Sequence, residues 1–311
     1  MGVRIAAIVV SFNRQEMLSR CLQALDSQSR PLDSIIVIDN ASDEFDIGSI
    51  AEKFNGVEFK FYSTKTNLGG AGGFAIGVDL LLSEGRFDYA WLMDDDATPS
   101  LSALKELESV LLSREQDFGF LASRVVTLET GDTLGSHSTY IKSTSYGAAD
   151  VVRPAEHATF VGALVNLHYS KRTFLPMLDF FLWLDDTEYT SRLSTFAPGV
   201  TVLSSVISHP AKPEHRDLGR RLYWDTRNRI WFLRDRSLGA RGGREVARRR
   251  FFYRLYSQMM NASNKKTYFT YLYRGLRDGI FKKPIKYYPG QLRCLAMPLN
   301  SDSEKTEGWE R

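Results

Sequence analysis

Apolar positions along the chain follow two rhythms, one suited to buried strands and one to helices. Arg4 to Ser11 (RIAAIVVS) is a continuous apolar run of buried-strand length, and Gln15 to Ser27 places Met17, Leu18, Cys21, Leu22 and Leu25 on one helical face. Pro31 closes that helix. Ser34 to Ile38 (SIIVI) predicts a second buried strand ending at Asp39, and Val57 to Tyr62 (VEFKFY) alternates like an edge or third strand. TNLGGAGG then leads to a helix predicted over Phe74 to Ser83, followed by a strand over Tyr89 to Met93. Leu101 to Ser113 reads as an amphipathic helix carrying Leu104, Leu107, Val110 and Leu111. Strands alternating with helices predict an α/β fold with a mostly parallel sheet, its ligand site beyond the carboxyl ends of the strands.

The rhythm changes after Phe118. Short apolar segments (LASRVVTL, YIKSTS and ATFVGALVNL) separated by Gly, Asp and Ser predict an irregular β region up to about Val165. Tyr169 to Leu175 leads into Pro176 and MLDFFLWLDDTEYTSRL, where an apolar run meets Asp185, Asp186 and Glu188 and a helix follows. Val200 to Ile207 predicts another strand, closing on Ser208, His209 and Pro210. After Pro213 the chain becomes basic, aromatic and helical up to about Phe281, and Pro284 to Arg311 reads as a loosely packed end. The expected division is an α/β domain over 1–215 and a basic, aromatic helical region over 216–311.

With 311 residues, 43% of them hydrophobic, the chain can bury a full core. Its longest apolar runs fall short of the roughly 18 residues that span a bilayer, so no transmembrane helix is expected. The polar SFNRQE after the first run lacks a small-residue cleavage site, and position 6 is not Ser or Thr. Neither a secretory leader nor N-myristoylation is expected. Cys21 and Cys294 are far apart and lack metal-ligand spacing, which suits a reducing, cytoplasmic protein. The formal charge of +3 conceals a concentration of arginine between 216 and 254, from Arg216, Arg220 and Arg221 through Arg236 and Arg241 to Arg254, interleaved with Tyr, Trp and Phe. Such a surface suits an anionic partner: phospholipid headgroups, pyrophosphate or nucleic acid.

Charge also marks the candidate chemistry. Asp94, Asp95 and Asp96 follow a strand, where mutual repulsion is costly unless a cation sits among them; the plain alternative is a solvated acidic turn ending at Pro99. Gly70, Gly72 and Ala75 fit a degenerate dinucleotide fingerprint, but they follow the third predicted strand instead of the first, against a Rossmann oxidoreductase. Four glycines between Gly69 and Gly73 still let backbone approach a ligand and open a helix whose N-terminus receives negative charge. The acids fall in three separated groups: Asp39, Asp94 to Asp96, and Asp185 with Asp186. One can bind a ribose or base edge, one can hold a metal on a pyrophosphate and one can act as general base, three tasks of a nucleotide-sugar transfer. Oxygen ligands suit Mg²⁺ or Mn²⁺, and a nitrogen from His209 would favour Mn²⁺, although a histidine before proline is often structural.

The series VVSFNR, VIDNAS, TNLGGAGG, WLMDDDATP, FFLWLDDTEY and YWDTRNR resembles the family-2 inverting glycosyltransferases of the GT-A fold. The likeness is strongest to their galactofuranosyltransferase and rhamnosyltransferase-like branch, and covers about residues 4 to 235. It implies a Rossmann-like, mostly parallel sheet flanked by helices, and it assigns roles. Arg14 and Asp39 would contact the nucleoside, while Asn67, Gly69 and Gly70 would line the ribose and diphosphate. Asp94 and Asp96 would hold the metal on the donor's phosphates, with His209 as third ligand and Asp95 nearby, facing the sugar. Asp186 would be the catalytic base. Asp185 and Glu188 would position Asp186 or the acceptor, and Trp183 would either stack on a sugar face or fill the core.

By the same resemblance, the DDD triplet and LDDTEY favour UDP-galactofuranose over dTDP-rhamnose as donor. The acceptor class would be a lipid-linked glycan of the cell wall or O-antigen, with the basic, aromatic region in peripheral contact with the inner membrane face. Two rivals come from other classes. A nucleic-acid module would use the basic tail and gives Asp186 no task, so no nucleic-acid partner is expected; a metal-dependent phosphohydrolase or nucleotidyltransferase would also use the acidic triplet.

Overall fold

The computed structural model describes residues 2–54, 57–113, 116–134, 137, 151–211, 217–234 and 244–299. The YIKSTS segment, Arg216, Arg236, Arg241, the side chains of 244–248 and the end beyond 299 lie outside the described residues. Four parallel strands carry the first part of the chain. β1 (Ile5–Ser11) lies between β2 (Ser34–Asp39) and β4 (Tyr89–Asp94), and β3 (Phe59–Thr64) pairs with β2. Their apolar runs are continuous because both faces are covered. Ile5, Ala7 and Val9 face one core with α1 (Gln15–Asp26) and α4 (Ala103–Ser113), whereas Ala6, Ile8 and Val10 face the other, with α3 (Gly69–Glu84). A one-turn helix, α2 (Gly48–Ala51), joins β2 to β3.

The glycine run differs from expectation. The helix predicted from Phe74 begins at Gly69, so the glycines form its first turns. Their use is close approach: a Cβ on Gly73 would lie 2.4 Å from Val10 Cγ1, and one on Gly77 would lie 2.4 Å from Ile8 Cγ2. Bare backbone brings α3 down onto β1.

The irregular β region completes the sheet on the other side of β4. β8 (Val161–Asn166) pairs antiparallel with β4, β6 (Phe120–Thr127) antiparallel with β8, and β9 (Gly199–His209) parallel with β6. The short β5 (Thr98–Pro99) and β7 (Val152–Ala155) both add to β9. Gly162, with φ +86°, is skipped in the β4–β8 register between Leu92 and Met93, a bulge one residue pair from Asp94. After β8 come the one-turn α5 (Leu167–Ser170), α6 (Asp185–Leu193) and, beyond β9, three helices: α7 (Leu222–Arg234), α8 (Arg244–Asn261) and α9 (Lys265–Phe281). Gly275 and Gly279 let α9 close onto α7, each glycine meeting Thr226 or Ile230. Buried Asp225 accepts from Arg229 and Arg254 and ties α8 to α7.

The segment from Pro284, expected to be loosely packed, is tied down as far as it is described. Gly290, Leu292 and Arg293 donate backbone N–H groups to the buried Asp79 carboxylate on α3, and β10 (Ala296–Pro298) pairs antiparallel with β3. A single buried acid, isolated in the helical pattern, anchors the chain's return to the sheet.

Gly73→Ala tests the close approach. Alanine in a helix interior ordinarily gains about 1 kcal/mol over glycine, but here the added methyl collides with Val10, an overpacking cost of about 1–3 kcal/mol. The expected outcome is a lower melting temperature by calorimetry, and a rise would show that α3 does not depend on this contact.

Candidate active site

The parallel strands deliver their ends side by side. Ser11 closes β1 opposite Asp39 of β2, and Val10 is paired with Asp94 of β4, so the two acids flank the end of β1. Beyond β4 the turn swings Asp95 back over β1. Ser11 Oγ donates to Asp95 Oδ2 at 2.8 Å, and Arg14 Nη1 lies 3.0 Å from both Asp95 Oδ1 and Asp96 Oδ2. Burial raises the Asp95 pKa above the ordinary carboxylate value, against the pull of Arg14 and Ser11. Burial alone would lower that of Arg14, but Asp95 and Asp96 outweigh it and hold the guanidinium charged. Arg14 is thus engaged with the acidic triplet, and Asp95 is enclosed between Ser11 and Arg14.

Asp94, Asp96 and His209 form a second arrangement. One ligand atom from each lies within 4.8 Å of the others. His209, the last residue of β9, is fully buried, and its Nδ1 faces the Pro210 carbonyl at 2.8 Å. A carbonyl only accepts, so Nδ1 carries the proton, and in the neutral ring Nε2 presents a lone pair. Nε2 lies 3.0 Å from Asp96 Oδ1, within ion-pair range, yet without the direction of a hydrogen bond. Two lone-pair atoms at that separation are stable only with a proton or cation between them. Two carboxylates and an imidazole fit a divalent cation of the Mn²⁺ or Mg²⁺ class.

Opposite stand Asp185 and Asp186, both in the first turn of α6. Aspartates there meet unsatisfied N–H groups and the positive end of the helix dipole. Asp186 Oδ1 accepts from Thr187 N–H at 2.5 Å, and the Phe160 N–H also donates to its carboxylate. The Phe160 carbonyl in turn accepts from Asp94 N–H at 3.0 Å. One residue therefore ties the end of β4 to the head of α6. Burial pushes the Asp186 pKa up to about 6. Asp185 is driven well above the usual range by burial and then by the charges of Asp186 and Asp94. Glu188 is fully buried with both oxygens taken by Arg192, at 2.8 and 2.9 Å, so its carboxylate braces α6 from within. Trp183 is half-buried on the loop before α6, where Phe181 stacks on Trp224 at 4.8 Å.

At the end of β2, Asp39 accepts from Ser42 N–H and Ser63 Oγ. Asn67 Oδ1 caps the Gly69 N–H at 2.8 Å, and Asn40 bridges Leu68 N–H and the Gly69 carbonyl. Gly69 and Gly70 do different things. Gly69, at φ +71°, would carry a Cβ 2.0 Å from the Phe181 carbonyl oxygen, whereas a Cβ on Gly70 would meet only open space. Gly69 thus lets α3 approach the α6 loop, and Gly70 leaves the helix N-terminus open above.

Sequence reasoning missed Ser11 and Phe160. Ser11 was legible as a polar residue closing an apolar strand. Phe160 acts through its backbone, which leaves no mark in the sequence.

Residues 6–158 match the family model described as glycosyl transferase family 2. The chain is 29% identical over 221 residues to the galactofuranosyltransferase GlfT1 of Mycolicibacterium smegmatis, covering 66% of this chain and 70% of that protein. Among solved structures, S. aureus TarS 1–349 superposes with a TM-score of 0.60 at 12% identity, covering 90% of this chain and 81% of TarS. GalNAc-T7, solved with UDP, GalNAc and Mn²⁺, gives a TM-score of 0.58 at 11% identity, covering 89% of this chain and 56% of that one. These structural likenesses place the chain in the GT-A fold.

In the metal-free protein, carbon-13 NMR of labelled aspartate should find a carboxyl titrating near pH 6 that Asp186→Asn removes. Because its folded pKa lies above the unfolded value near 3.9, the native state holds the extra proton between those limits, and this group's contribution to stability falls as pH rises through that window. An Asp186 midpoint near 4 would contradict the burial argument.

Proposed function

We propose, from the premise that this chain is a nucleotide-sugar-dependent glycosyltransferase with a family 2 domain over residues 6–158, that it moves galactofuranose from UDP-galactofuranose to a glycan hydroxyl with inversion. The observation that carries this reading is the convergence of Asp94, Asp96 and His209 opposite the Asp185–Asp186 pair, the two sides joined through Phe160. The GlfT1 relative, itself named a galactofuranosyltransferase, supports this donor over dTDP-rhamnose. The acceptor class is a lipid-linked or cell-surface polysaccharide.

Asp186 is the base. Its carboxylate takes the proton from the acceptor hydroxyl as that oxygen forms a bond to the anomeric carbon, and the bond from that carbon to the diphosphate breaks, the electron pair leaving with the nucleoside diphosphate. No covalent sugar intermediate forms. Asp94, Asp96 and His209 would hold Mn²⁺ or Mg²⁺, which when bound supplies positive charge to the donor's diphosphate. GalNAc-T7, a neighbour in fold, was solved with Mn²⁺. The open backbone at Gly70 and the N-terminus of α3 receive the phosphates, Asp39 and Asn67 face the nucleoside and ribose, and Arg14 keeps the acidic triplet compact. Asp185, driven toward the neutral acid by burial and by the charge of Asp186, positions the base or the acceptor, and Trp183 offers its ring face to a sugar on the acceptor side.

A donor panel with Mn²⁺, read out as nucleoside diphosphate release and product linkage, tests this. UDP-galactofuranose should be turned over, Asp186→Asn and Asp96→Ala should lose transfer by at least about a hundredfold, and His209→Ala should weaken Mn²⁺ binding in calorimetry. Turnover of dTDP-rhamnose in place of UDP-galactofuranose would reverse the donor assignment, and undiminished transfer by Asp186→Asn would remove the base.

The reading extends to a cytoplasmic protein whose C-terminal helices touch the inner membrane face. Among the described residues no helix is long and apolar enough to cross one. Phe252, Tyr253, Tyr256 and Met260 on α8, and Phe269 and Tyr273 on α9, are exposed beside Arg250, Lys266 and Arg274. Aromatics beside cations suit an anionic headgroup layer. Sedimentation with phosphatidylglycerol vesicles should carry the protein down at low salt and lose it when Phe252, Tyr253 and Tyr256 become Ser. Binding to an oligonucleotide and not to vesicles would return this surface to a nucleic-acid role.

A further inference from the structure

The chain between Phe180 and Asp185 follows a path that L-residues avoid. Leu182 N–H bonds to the Phe180 carbonyl at 2.6 Å, closing a three-residue turn on Phe181 at φ +61°, ψ −56°, the strained form of the γ-turn. Trp183 and Leu184 follow at φ +69° and +70°, and none of the three is glycine. Leu184 is the residue immediately before α6, so its backbone sets the direction in which Asp185 and Asp186 leave the loop. Such a path persists only where its surroundings dictate it.

We propose that Asn228 is the positioning residue that holds this path and so aims Asp186, a proposal that rests on Asp186 being the base. Asn228, on α7, is fully buried, and its Nδ2 lies 2.9 Å from the Phe180 carbonyl, 2.9 Å from that of Leu182 and 3.0 Å from that of Trp183. The amide is oriented by its neighbour. Arg227 donates to Asn228 Oδ1 from Nε at 3.1 Å and from Nη2 at 3.0 Å, so the oxygen faces the guanidinium and the nitrogen faces the three carbonyls. The Arg227 guanidinium also donates to the Asp179 carbonyl.

The loop is held from the opposite side as well. The Phe181 carbonyl accepts from Ala71 N–H at 3.3 Å and lies where a Cβ of residue 69 would stand. Phe180 packs with Ala71 and Trp231, and Leu184 adds to the same cluster. Asparagine is the side chain this place requires: it accepts from arginine at one atom and donates to a fan of carbonyls at the other. Aspartate has the same shape but would set a carboxylate oxygen against three carbonyl oxygens.

The test compares Asn228→Ala and Asn228→Asp in the full chain by kcat, donor KM, melting temperature and amide exchange over residues 180–186. In both variants kcat should fall roughly a hundredfold, the loss expected when a reacting group is displaced by about an ångström. Donor KM should stay within about threefold, since Asn228 itself touches none of the residues assigned to the donor, and exchange over 180–186 should quicken while the sheet stays protected. The isosteric Asn228→Asp separates donation from packing: kcat near wild type in that variant overturns the proposal. So does lost kcat with unchanged exchange over 180–186. If neither variant accumulates folded, Asn228→Ser, which keeps one donor, is read in the same way: lowered kcat with faster local exchange supports the clamp, and wild-type values overturn it. Asp186→Asn is measured in parallel. Undiminished transfer there removes the base but leaves the exchange result to judge the clamp on its own.

Discussion

The gathering of like charge beyond the carboxyl ends of β1 and β4 is the constraint to which the rest of this structure responds. Asp94, Asp95 and Asp96 arrive from one side, Asp185 and Asp186 from the other. Two unit charges about 4 Å apart interact by about 4 kcal/mol at the effective dielectric of a protein surface, comparable to a large share of a domain's net stability. The cluster therefore exists only with compensation at each member. Asp95 has Ser11 and Arg14, Asp96 has Arg14, and Asp186 has the N–H groups of Phe160 and Thr187. Asp185, although it accepts from backbone N–H groups at the head of α6, has its pKa driven furthest toward the neutral acid by burial and neighbouring charge. Each partner sits on a different element, which is why the site needs the whole sheet.

Backbone approach does for shape what these partners do for charge. Gly73 and Gly77 lower α3 onto β1, and that descent brings Gly69 against the Phe181 carbonyl and Gly70 to the mouth of the site. On the far side of β4 the Gly162 bulge lets β8 place Phe160 where its two backbone groups reach Asp94 and Asp186. Small residues thus fix distances that larger ones would stretch by an ångström or more, and an ångström is enough to separate a base from its proton.

Much of this was legible in the sequence, for a physical reason. Strands buried on both faces write themselves as unbroken apolar runs, so β1, β2 and β4 could be read to within a residue or two, and the acids at their ends followed. The three acidic groups could be named because carboxylates in an apolar context are costly and so stand out, whereas His209 is marked as a ligand by the family resemblance. What stayed hidden depends on backbone or on distant pairing. The glycine run reads equally as a turn or as a helix laid against a strand; only the proximity of Val10 and Ile8 decides. Glu188 looks like part of an acidic cluster until Arg192, one helical turn on, proves to occupy both its oxygens. Asp79 anchors a segment more than 200 positions away by sequence, a pairing that no local pattern encodes.

The strained loop before α6 shows why the region after residue 216 matters to the chemistry. A left-handed or γ-turn conformation at a non-glycine residue costs on the order of 1–3 kcal/mol, and Phe181, Trp183 and Leu184 each adopt one. Glycines there would relieve the strain, but they would also leave the loop more states to explore and remove the Phe181 ring that stacks on Trp224 and the Leu184 side chain that joins the Phe180 cluster. Bulky residues in an unfavourable conformation can be rigid where glycines cannot, provided something outside the loop dictates the path. Here the dictating groups come from α3, whose first turn is open at Gly70, and from α7, which packs on α9 through bare glycines. The aim of Asp186 therefore depends on two elements that do not carry it, and the helical region contributes to the site through backbone geometry.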